Sequence, residues 1–168
     1  MGNEFLYWNS VELIKAYKAK NISPVEVIKE SIENAQRSNE KFNFVTEFLE
    51  ESALKSAKIS EDRYLGKGNA IPRILEGIPL AVKDEFALNG TYRTSGSKIY
   101  KNRKDNYTDI YVSRLLNGGS IPIFKTTTPE FCLLGTTWSD LHGITTNPWN
   151  EKFTPGGSSG GSGVALAT

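Results

Sequence analysis

The chain has 168 residues, of which 38% are hydrophobic, and a formal net charge of +1 at pH 7. This length and apolar content suffice for one domain with a buried core, and the small charge gives no electrostatic argument for nucleic-acid binding. The single cysteine, Cys132, excludes an internal disulfide and is typical of a reducing compartment.

No targeting signal is visible near the N-terminus. Residues 1–6 have neither a basic region nor a long apolar stretch, so no signal peptide or membrane span is predicted. We expect a cytoplasmic protein that has neither a membrane nor a nucleic acid as partner. The Asn-x-Ser/Thr sequences at Asn21, Asn89 and Asn106 are interpreted as chance matches.

Residues 1 to about 66 are predicted to be mainly helical. Ser10 is a candidate cap for a first helix, whose inner face would consist of Val11, Ile14 and Tyr17. The sequence Ser23-Pro24-Val25-Glu26 has the form of a capping box with proline at the first helical position. The face of this second helix would consist of Val25, Ile28, Ile32 and Ala35. Phe44–Leu49 is ambiguous, and a short strand that leads into a third helix through Ala57 is one interpretation.

From about residue 70 to 168 the pattern is that of an α/β segment. The loop between the two parts is marked by Gly66, Gly68, Asn69 and Pro72. Ile78–Val82 predicts a strand buried on both faces. A helix is predicted to begin at Thr108-Asp109 and to end at Asn117-Gly118-Gly119. The next strand is predicted over Ile121–Phe124, and a short helix over Pro129–Leu134. Strand, helix and strand in this order predict a parallel pair.

The C-terminal segment contains the most informative motif. Thr154-Pro155 precedes eight consecutive Gly or Ser residues, 156–163, and the apolar run Val164–Ala167 follows. Glycine lets the backbone approach other groups closely, and N–H groups at a helix N-terminus favour negative charge, which suits hydroxyl chemistry on a carbonyl. A flexible Gly/Ser linker is the alternative, against which the apolar flank argues. No Gly-Lys-Ser/Thr follows, which disfavours a phosphate loop.

Three further motifs precede this run: Gly77–Asp84 (GIPLAVKD), Lys125–Phe131 (KTTTPEF) and Gly143–Asn150 (GITTNPWN). The ordered set resembles the amidase signature family of serine hydrolases, from about Glu76 to the C-terminus and more loosely in the N-terminal helices. The sequence of Lys125–Phe131 is more similar to this motif in general amidases than to the motif in tRNA-dependent amidotransferase subunits. The resemblance implies N-terminal helices followed by the beginning of a mixed, largely parallel sheet covered by helices. Residues 1–168 would form the N-terminal part of a single domain.

The resemblance also implies a catalytic site. Lys83 aligns with the catalytic lysine of the family and Ser158 with its middle serine, which follows a cis peptide bond. Ser159, Gly156 and Gly157 would support the site, and neither a metal nor an organic cofactor is implied. The nucleophile of the family is a third serine in a later Asp-x-Gly-Gly-Ser segment, which is not found in these 168 residues, so we expect the chain to be inactive alone.

Two hypotheses remain open on this basis. The chain is either the N-terminal part of an enzyme that hydrolyses a small-molecule amide, or a non-catalytic remnant or partner-binding fragment. In the first case it would be the product of a truncated gene, a piece cut from a longer protein, or a split subunit that a complementary C-terminal chain completes. Lys83 itself follows a predicted strand, where open α/β sheets place ligands, and a lysine is a base only when it is neutral. The alternative for Lys83 is an exposed lysine paired with Asp84. Lys125 is interpreted as structural.

Other candidates carry less weight. Cys132 and His142 could form a thiol hydrolase pair, but Cys132 lies in an apolar context typical of a small buried residue. Thr94, Ser95 and Ser97 are predicted to shape a loop near the site or to be ordinary turn residues. The carboxylates do not have the spacing of a metal site.

Overall fold

The structure, a computed structural model, describes residues 4–168 and arranges them as helices around a small mixed sheet. The helices are α1 (Ser10–Ala19), α2 (Pro24–Phe42), α3 (Glu50–Tyr64), α4 (Ile110–Gly118) and α5 (Gly160–Ala167). The strands are β1 (Val45–Phe48), β2 (Pro79–Lys83), β3 (Ile121–Thr126), β4 (Trp138–Ser139) and β5 (Gly143–Ile144). Residues 1–3, part of the segment searched for a targeting signal, lie outside the described residues. Between residues 4 and 168 no helix is long and apolar enough to cross a membrane.

The first helix is capped by Asn9, so the prediction of Ser10 was wrong by one residue. The Asn9 side chain accepts hydrogen bonds from the N–H groups of Val11 and Glu12, and the Glu12 carboxylate accepts from Asn9 N–H at 2.8 Å. This capping box satisfies N–H groups at the start of α1 and so fixes where the helix begins. The buried residues are Leu13, Ala16 and Tyr17. Val11, which we expected inside, is 61% exposed.

The second capping box is confirmed. Ser23 and Glu26 exchange hydrogen bonds between side chain and backbone, and Pro24 occupies the first turn. The buried residues of α2 are Pro24, Val27, Ile28, Ile32 and Ala35, whereas Val25 is only half-buried. The ambiguous segment after α2 forms strand β1, and α3 then continues past Ala57 to Tyr64.

The main sheet is mixed, with strand order β1-β3-β2. Strands β2 and β3 are parallel, as the strand–helix–strand pattern predicted, and β1 joins β3 from the other side in antiparallel orientation. In the described part of the chain β2 is therefore an edge strand. For that reason the prediction that Ile78–Val82 is buried on both faces holds only in part: Ile78 and Val82 are buried, whereas Leu80 and Ala81 between them are half-buried.

One apolar cluster joins the N-terminal helices to the sheet. Its buried members come from α2, α3, β3 and α5 and include Ile28, Ile32, Ala53, Ala57, Ile121, Ile123, Phe124 and Val164. Val164 is fully buried, so α5 packs against the sheet directly after the Gly/Ser run. This packing fixes the start of α5 relative to the end of β2.

Two predicted elements differ in detail. Asp109 occupies the N-cap position of α4, but its carboxylate accepts from Ala87 N–H at 2.8 Å rather than from the helix. Instead of the short helix predicted over Pro129–Leu134, the structure has a 3-10 turn, Glu130–Cys132, in which Phe131 has a φ of 52°. Phe131 N–H donates to Ser95 O at 2.8 Å, so this amide does not take part in the main-chain hydrogen bonds of a helix.

Candidate functional site

Lys83 and Ser158 meet where β2 ends and the Gly/Ser run begins. Lys83 is the last residue of β2, and its Nζ donates a hydrogen bond to Ser158 Oγ at 2.7 Å. Ser158 lies two residues before α5, and the Gly157–Ser158 peptide bond is cis. The structure therefore brings together two residues that are 75 positions apart in the sequence.

The surroundings of Lys83 differ from those of an exposed surface lysine. Its side chain is only 9% exposed, and its Nζ lies 3.0 Å from the Glu85 carboxylate. Glu85 itself is 43% exposed and connects the amine to the solvent side of the site. The carboxylate partner of Lys83 is thus Glu85 and not Asp84, which the sequence alone did not indicate.

Asp84 anchors the neighbouring loop. Its buried carboxylate accepts hydrogen bonds from the Thr94 hydroxyl, from Thr94 N–H at 2.9 Å and from Gly96 N–H at 3.4 Å, and it lies 3.8 Å from His142 Nε2. Burial opposes ionisation of this carboxyl, but the nearby His142 ring and the hydrogen bonds from Thr94 outweigh it and hold the pKa of Asp84 below its usual range. A charged carboxylate next in sequence to Lys83 therefore fixes the loop through Thr94.

The same loop contacts the turn after β3. Ser97 Oγ donates to Glu130 Oε1 at 2.7 Å, and the Ser95 hydroxyl accepts from Arg103 Nη2 at 3.3 Å. An added Cβ at Gly96 would lie 2.9 Å from the backbone of Pro129, so the loop and the turn are in close contact. Thr94, Ser95 and Ser97 thus lie in a loop that is anchored to Asp84, next in sequence to Lys83, while a functional role for them remains a prediction.

Cys132 and His142 have separate hydrogen-bond partners. Cys132 Sγ lies 3.1 Å from Thr128 Oγ1, and burial raises the pKa of this thiol, which disfavours the reactive thiolate. His142 Nε2 instead lies 2.9 Å from Thr94 Oγ1. This arrangement supports the interpretation that the two residues are not a catalytic pair.

Lys125 lies fully inside the protein. Its Nζ donates to Phe86 O at 2.7 Å, and burial lowers the pKa of its amine, although the charge of Asp84 opposes this shift. Its partner is a main-chain carbonyl, which fits the structural interpretation of this lysine.

Threonine side chains hold the Gly/Ser run, a feature that the sequence analysis missed. The contacts are Thr126 Oγ1 with Ser162 Oγ (2.8 Å), Thr128 Oγ1 to Ser158 O (3.0 Å), Thr137 Oγ1 to Gly156 O (2.8 Å) and Gly160 N–H to Thr137 Oγ1 (3.1 Å). The run of three threonines in KTTTPEF was an available signal for hydroxyl groups at the end of a strand. Ser159 is exposed at the N-cap position of α5, and Gly156 has a φ of 88°.

Within residues 4–168 no three His, Cys, Asp or Glu side chains form a group that could hold a metal ion. The arrangement is instead a buried amine bonded to a hydroxyl, with a glycine-rich backbone beside it. Such an amine can accept a proton from the hydroxyl when it is neutral.

Comparison with known proteins shows the family. The family model for amidases, described as Amidase, matches residues 26–168, so the chain belongs to the amidase family. One subunit of the glutamyl-tRNA(Gln) amidotransferase of Agathobacter rectalis is 37% identical over 158 residues, which cover 94% of this chain and 31% of the relative. The corresponding subunit of the Lachnospira eligens amidotransferase is 36% identical, with 96% and 33% covered. The chain thus spans about a third of the length of these curated relatives.

Solved structures show the same fold. An inhibitor-bound vestigial protein complex, described as revealing the evolutionary origins of an s-triazine catabolic enzyme, contains a chain with a TM-score of 0.89 and 30% identity, covering 95% of this chain and 35% of that one. A bacterial aryl acylamidase of the amidase signature family has a TM-score of 0.85 and 28% identity, with 92% and 32% covered. The predicted fold class is therefore confirmed. The preference for a general amidase over a tRNA-dependent amidotransferase stays a prediction, and the names of the curated relatives weigh against it.

Proposed function

We propose that this chain supplies the lysine and the middle serine of an amidase that hydrolyses carbon–nitrogen amide bonds. The observation that carries the proposal is the 2.7 Å hydrogen bond from Lys83 Nζ to Ser158 Oγ, formed by a buried lysine at the end of a parallel strand. Ser159, Gly156 and Gly157 support this pair through the backbone of the Gly/Ser run. The complete amidase would act on a small-molecule amide, without a metal or organic cofactor, and a cytoplasmic location stays a prediction.

In the proposed mechanism these residues move one proton. Neutral Lys83 accepts the proton of Ser158, and Ser158 accepts the proton of the nucleophilic serine as that serine attacks the amide carbonyl. The same two groups then return the proton to the leaving amine. The nucleophile and its oxyanion-hole amides would come from an Asp-x-Gly-Gly-Ser segment, which the 168 residues do not contain, supplied by further chain or by a complementary C-terminal chain.

The shared core also supports the proposed domain organisation. Helices α2 and α3 pack in one cluster with β3 and α5. We therefore interpret residues 1 to about 66 and about 70–168 as two parts of a single domain. The alternative function is a non-catalytic remnant or partner-binding fragment with the same fold start.

A chimera separates the two hypotheses. Residues 1–168 are fused to the C-terminal two thirds of the aryl acylamidase and assayed on aryl amides, with the 168-residue polypeptide as a second sample. We expect hydrolysis only by the chimera, because removing even one oxyanion-hole donor costs about a hundredfold or more in rate. Lys83→Met and Ser158→Ala should each lower kcat by about a thousandfold or more.

Matched controls are Lys98→Met and Ser52→Ala, since both residues are exposed on helical segments. A folded chimera whose activity survives Lys83→Met or Ser158→Ala contradicts the proposed roles. A folded but inactive chimera favours the non-catalytic alternative. Stoichiometric labelling of the 168-residue polypeptide by a fluorophosphonate probe would mean that its nucleophile had been misplaced.

A further inference from the structure

The serine loop, residues 156–159, has few side chains of its own that could fix its conformation. Gly156 and Gly157 have no side chains, and Ser159 is exposed. Glycine-rich backbone has more conformations to lose on folding than any other, so a single conformation requires contacts from outside the loop. Ser158 can face Lys83 steadily only if another part of the chain holds this loop.

The Thr137 hydroxyl binds the main chain at both ends of the serine loop. It donates to Gly156 O at 2.8 Å and accepts from Gly160 N–H at 3.1 Å. A hydroxyl has one donor and two acceptor sites, so both bonds form at the same time. The two bonded groups bracket residues 157–159, which contain Ser158.

Thr137 is itself held in place. Only 2% of it is exposed, and its carbonyl accepts from Thr145 N–H at 3.0 Å across the β4–β5 hairpin. The Thr145 hydroxyl donates in turn to Asn43 O at 2.7 Å, directly after α2. The serine loop is thereby connected through Thr137 to the end of a long helix.

Close packing supports the same contact independently of hydrogen bonds. A Cβ added at Gly157 would lie 2.6 Å from both Leu134 O and Thr136 N, and one at Gly160 would lie 2.8 Å from Thr137 Cβ. Real Cβ atoms do not approach other atoms so closely. Residues 134–137 therefore lie against the serine loop along its length, and glycine at these two positions makes the contact possible.

We propose that Thr137 is a positioning residue that holds Ser158 against Lys83. Its hydroxyl bonds to the main chain on either side of Ser158, so it acts through the loop and not on reacting atoms. Thr128 makes a single bond to Ser158 O and shares its hydroxyl with Cys132, whereas Thr137 fixes both ends. The importance of Thr137 for catalysis rests on the proposed function. Its effect on the position of Ser158 can be tested without measuring enzyme activity.

The test uses the isotope-labelled 168-residue polypeptide and two NMR measurements, hydrogen exchange of the Gly160 amide and the Cε signal of Lys83. Thr137→Val removes the hydroxyl at nearly constant volume, Thr137→Ala removes it without crowding, and Thr137→Ser restores it. Thr91→Val is the matched control, since Thr91 is 6% exposed and donates to Leu88 O at 2.8 Å in another loop. Urea unfolding corrects each exchange rate for global stability.

Both variants that lack the hydroxyl should exchange Gly160 about tenfold faster, as expected for a lost hydrogen bond in the native state. Their Lys83 signal should move towards its position in Ser158→Ala. Thr137→Ser and Thr91→Val should keep the wild-type signal.

An unchanged Lys83 signal in both hydroxyl-free variants would overturn the proposal, as would a Thr137→Ser variant that behaves like Thr137→Val. Because no measurement requires catalysis, a folded chimera without amidase activity would count against the proposed function and leave the result for Thr137 unchanged.

Discussion

Two glycines of α5, Gly161 and Gly163, have very different surroundings. A Cβ added at Gly161 would lie 2.6 Å from Thr127 N and 2.7 Å from Thr127 O, whereas nothing lies within 4 Å of one added at Gly163. The backbone atoms of Thr127 belong to the chain leaving β3 and cannot move aside easily. The close approach at Gly161 is thus what seats the start of α5 on the sheet.

We therefore expect opposite effects from the same substitution. Gly161→Ala should lower the free energy of unfolding by about 1–3 kcal/mol, because a methyl group is forced into occupied space. Gly163→Ala should leave it unchanged or raise it by up to about 1 kcal/mol through helix propensity. Urea unfolding of the two variants measures the difference. Equal effects would show that the Thr127 contact does not limit the packing of α5.

For the candidate site, the sequence indicated Lys83 and Ser158 but not the residues that surround them. Lys83 and Ser158 lie in motifs whose order could be read directly. Glu85 and Thr137 could not be assigned, because their contacts depend on how loops close after the sheet has formed. Asn9 differs, since a glutamate three residues later completes a capping box that could have been recognised in place of Ser10.

At the scale of elements, Glu76 connects α3 to the segment that enters β2. Its fully buried carboxylate accepts hydrogen bonds from Ser60 Oγ at 2.6 Å, Arg63 Nη1 at 2.7 Å and Arg73 Nε at 2.6 Å. Burial alone would raise the pKa of Glu76, but the bonds from Arg73, Ser60 and Arg63 outweigh burial and lower it to about 2. The folded protein therefore favours the charged carboxylate.

This shift predicts acid sensitivity with a definite sign. Because the pKa is lower in the folded state, the contribution of Glu76 is complete above its unfolded value of 4.5 and is lost as the pH falls towards about 2. At neutral pH it is on the order of 3 kcal/mol. Glu76→Gln should lower the free energy of unfolding at pH 7 by a similar amount and flatten its decline between these two pH values.

The matched control is Glu40→Gln, since Glu40 is exposed at the end of α2. Urea unfolding between pH 2 and pH 7 gives the comparison. A Glu76→Gln variant with the pH dependence of the wild type would show that the network around Glu76 does not stabilise the fold electrostatically.

Local elements were more predictable than long-range pairing. The Ser23 capping box and the parallel β2–β3 pair follow from short patterns, and both are confirmed. The antiparallel pairing of β1 joins Val45 to Thr126, and nothing in either segment reports such a distant partner. As a result, β3 is paired on both sides, whereas β2 is paired on one side only within the described residues.

At the scale of the whole molecule, a slot of about 250 Å³ follows the edge of β2. Its lining consists of Leu80, Ala81, Val82, Lys83, Phe86, Tyr111, Val112, Leu115, Ser159 and Ser162. Tyr111 is 65% exposed, and Leu115 is 38% exposed. An edge strand beside apolar side chains is a template for another chain.

Helix α5 adds little apolar surface to this region. Its Val164 is fully buried in the main cluster, whereas Leu166 is 91% exposed. The β2 edge is therefore the feature on which self-association should depend.

We expect the 168-residue polypeptide to self-associate as its concentration rises, because the β2 edge and the apolar slot beside it can pair with a second chain. Tyr111→Lys places a charge at the mouth of the slot and should reduce association, whereas Ile99→Lys, at a 76% exposed position elsewhere, should not. Light scattering across a concentration series measures the mass, and thermal melting shows whether each variant stays folded. A wild-type polypeptide that remains monomeric and melts in one sharp transition would show that the β2 edge does not bind a second chain and that these residues are a self-sufficient domain.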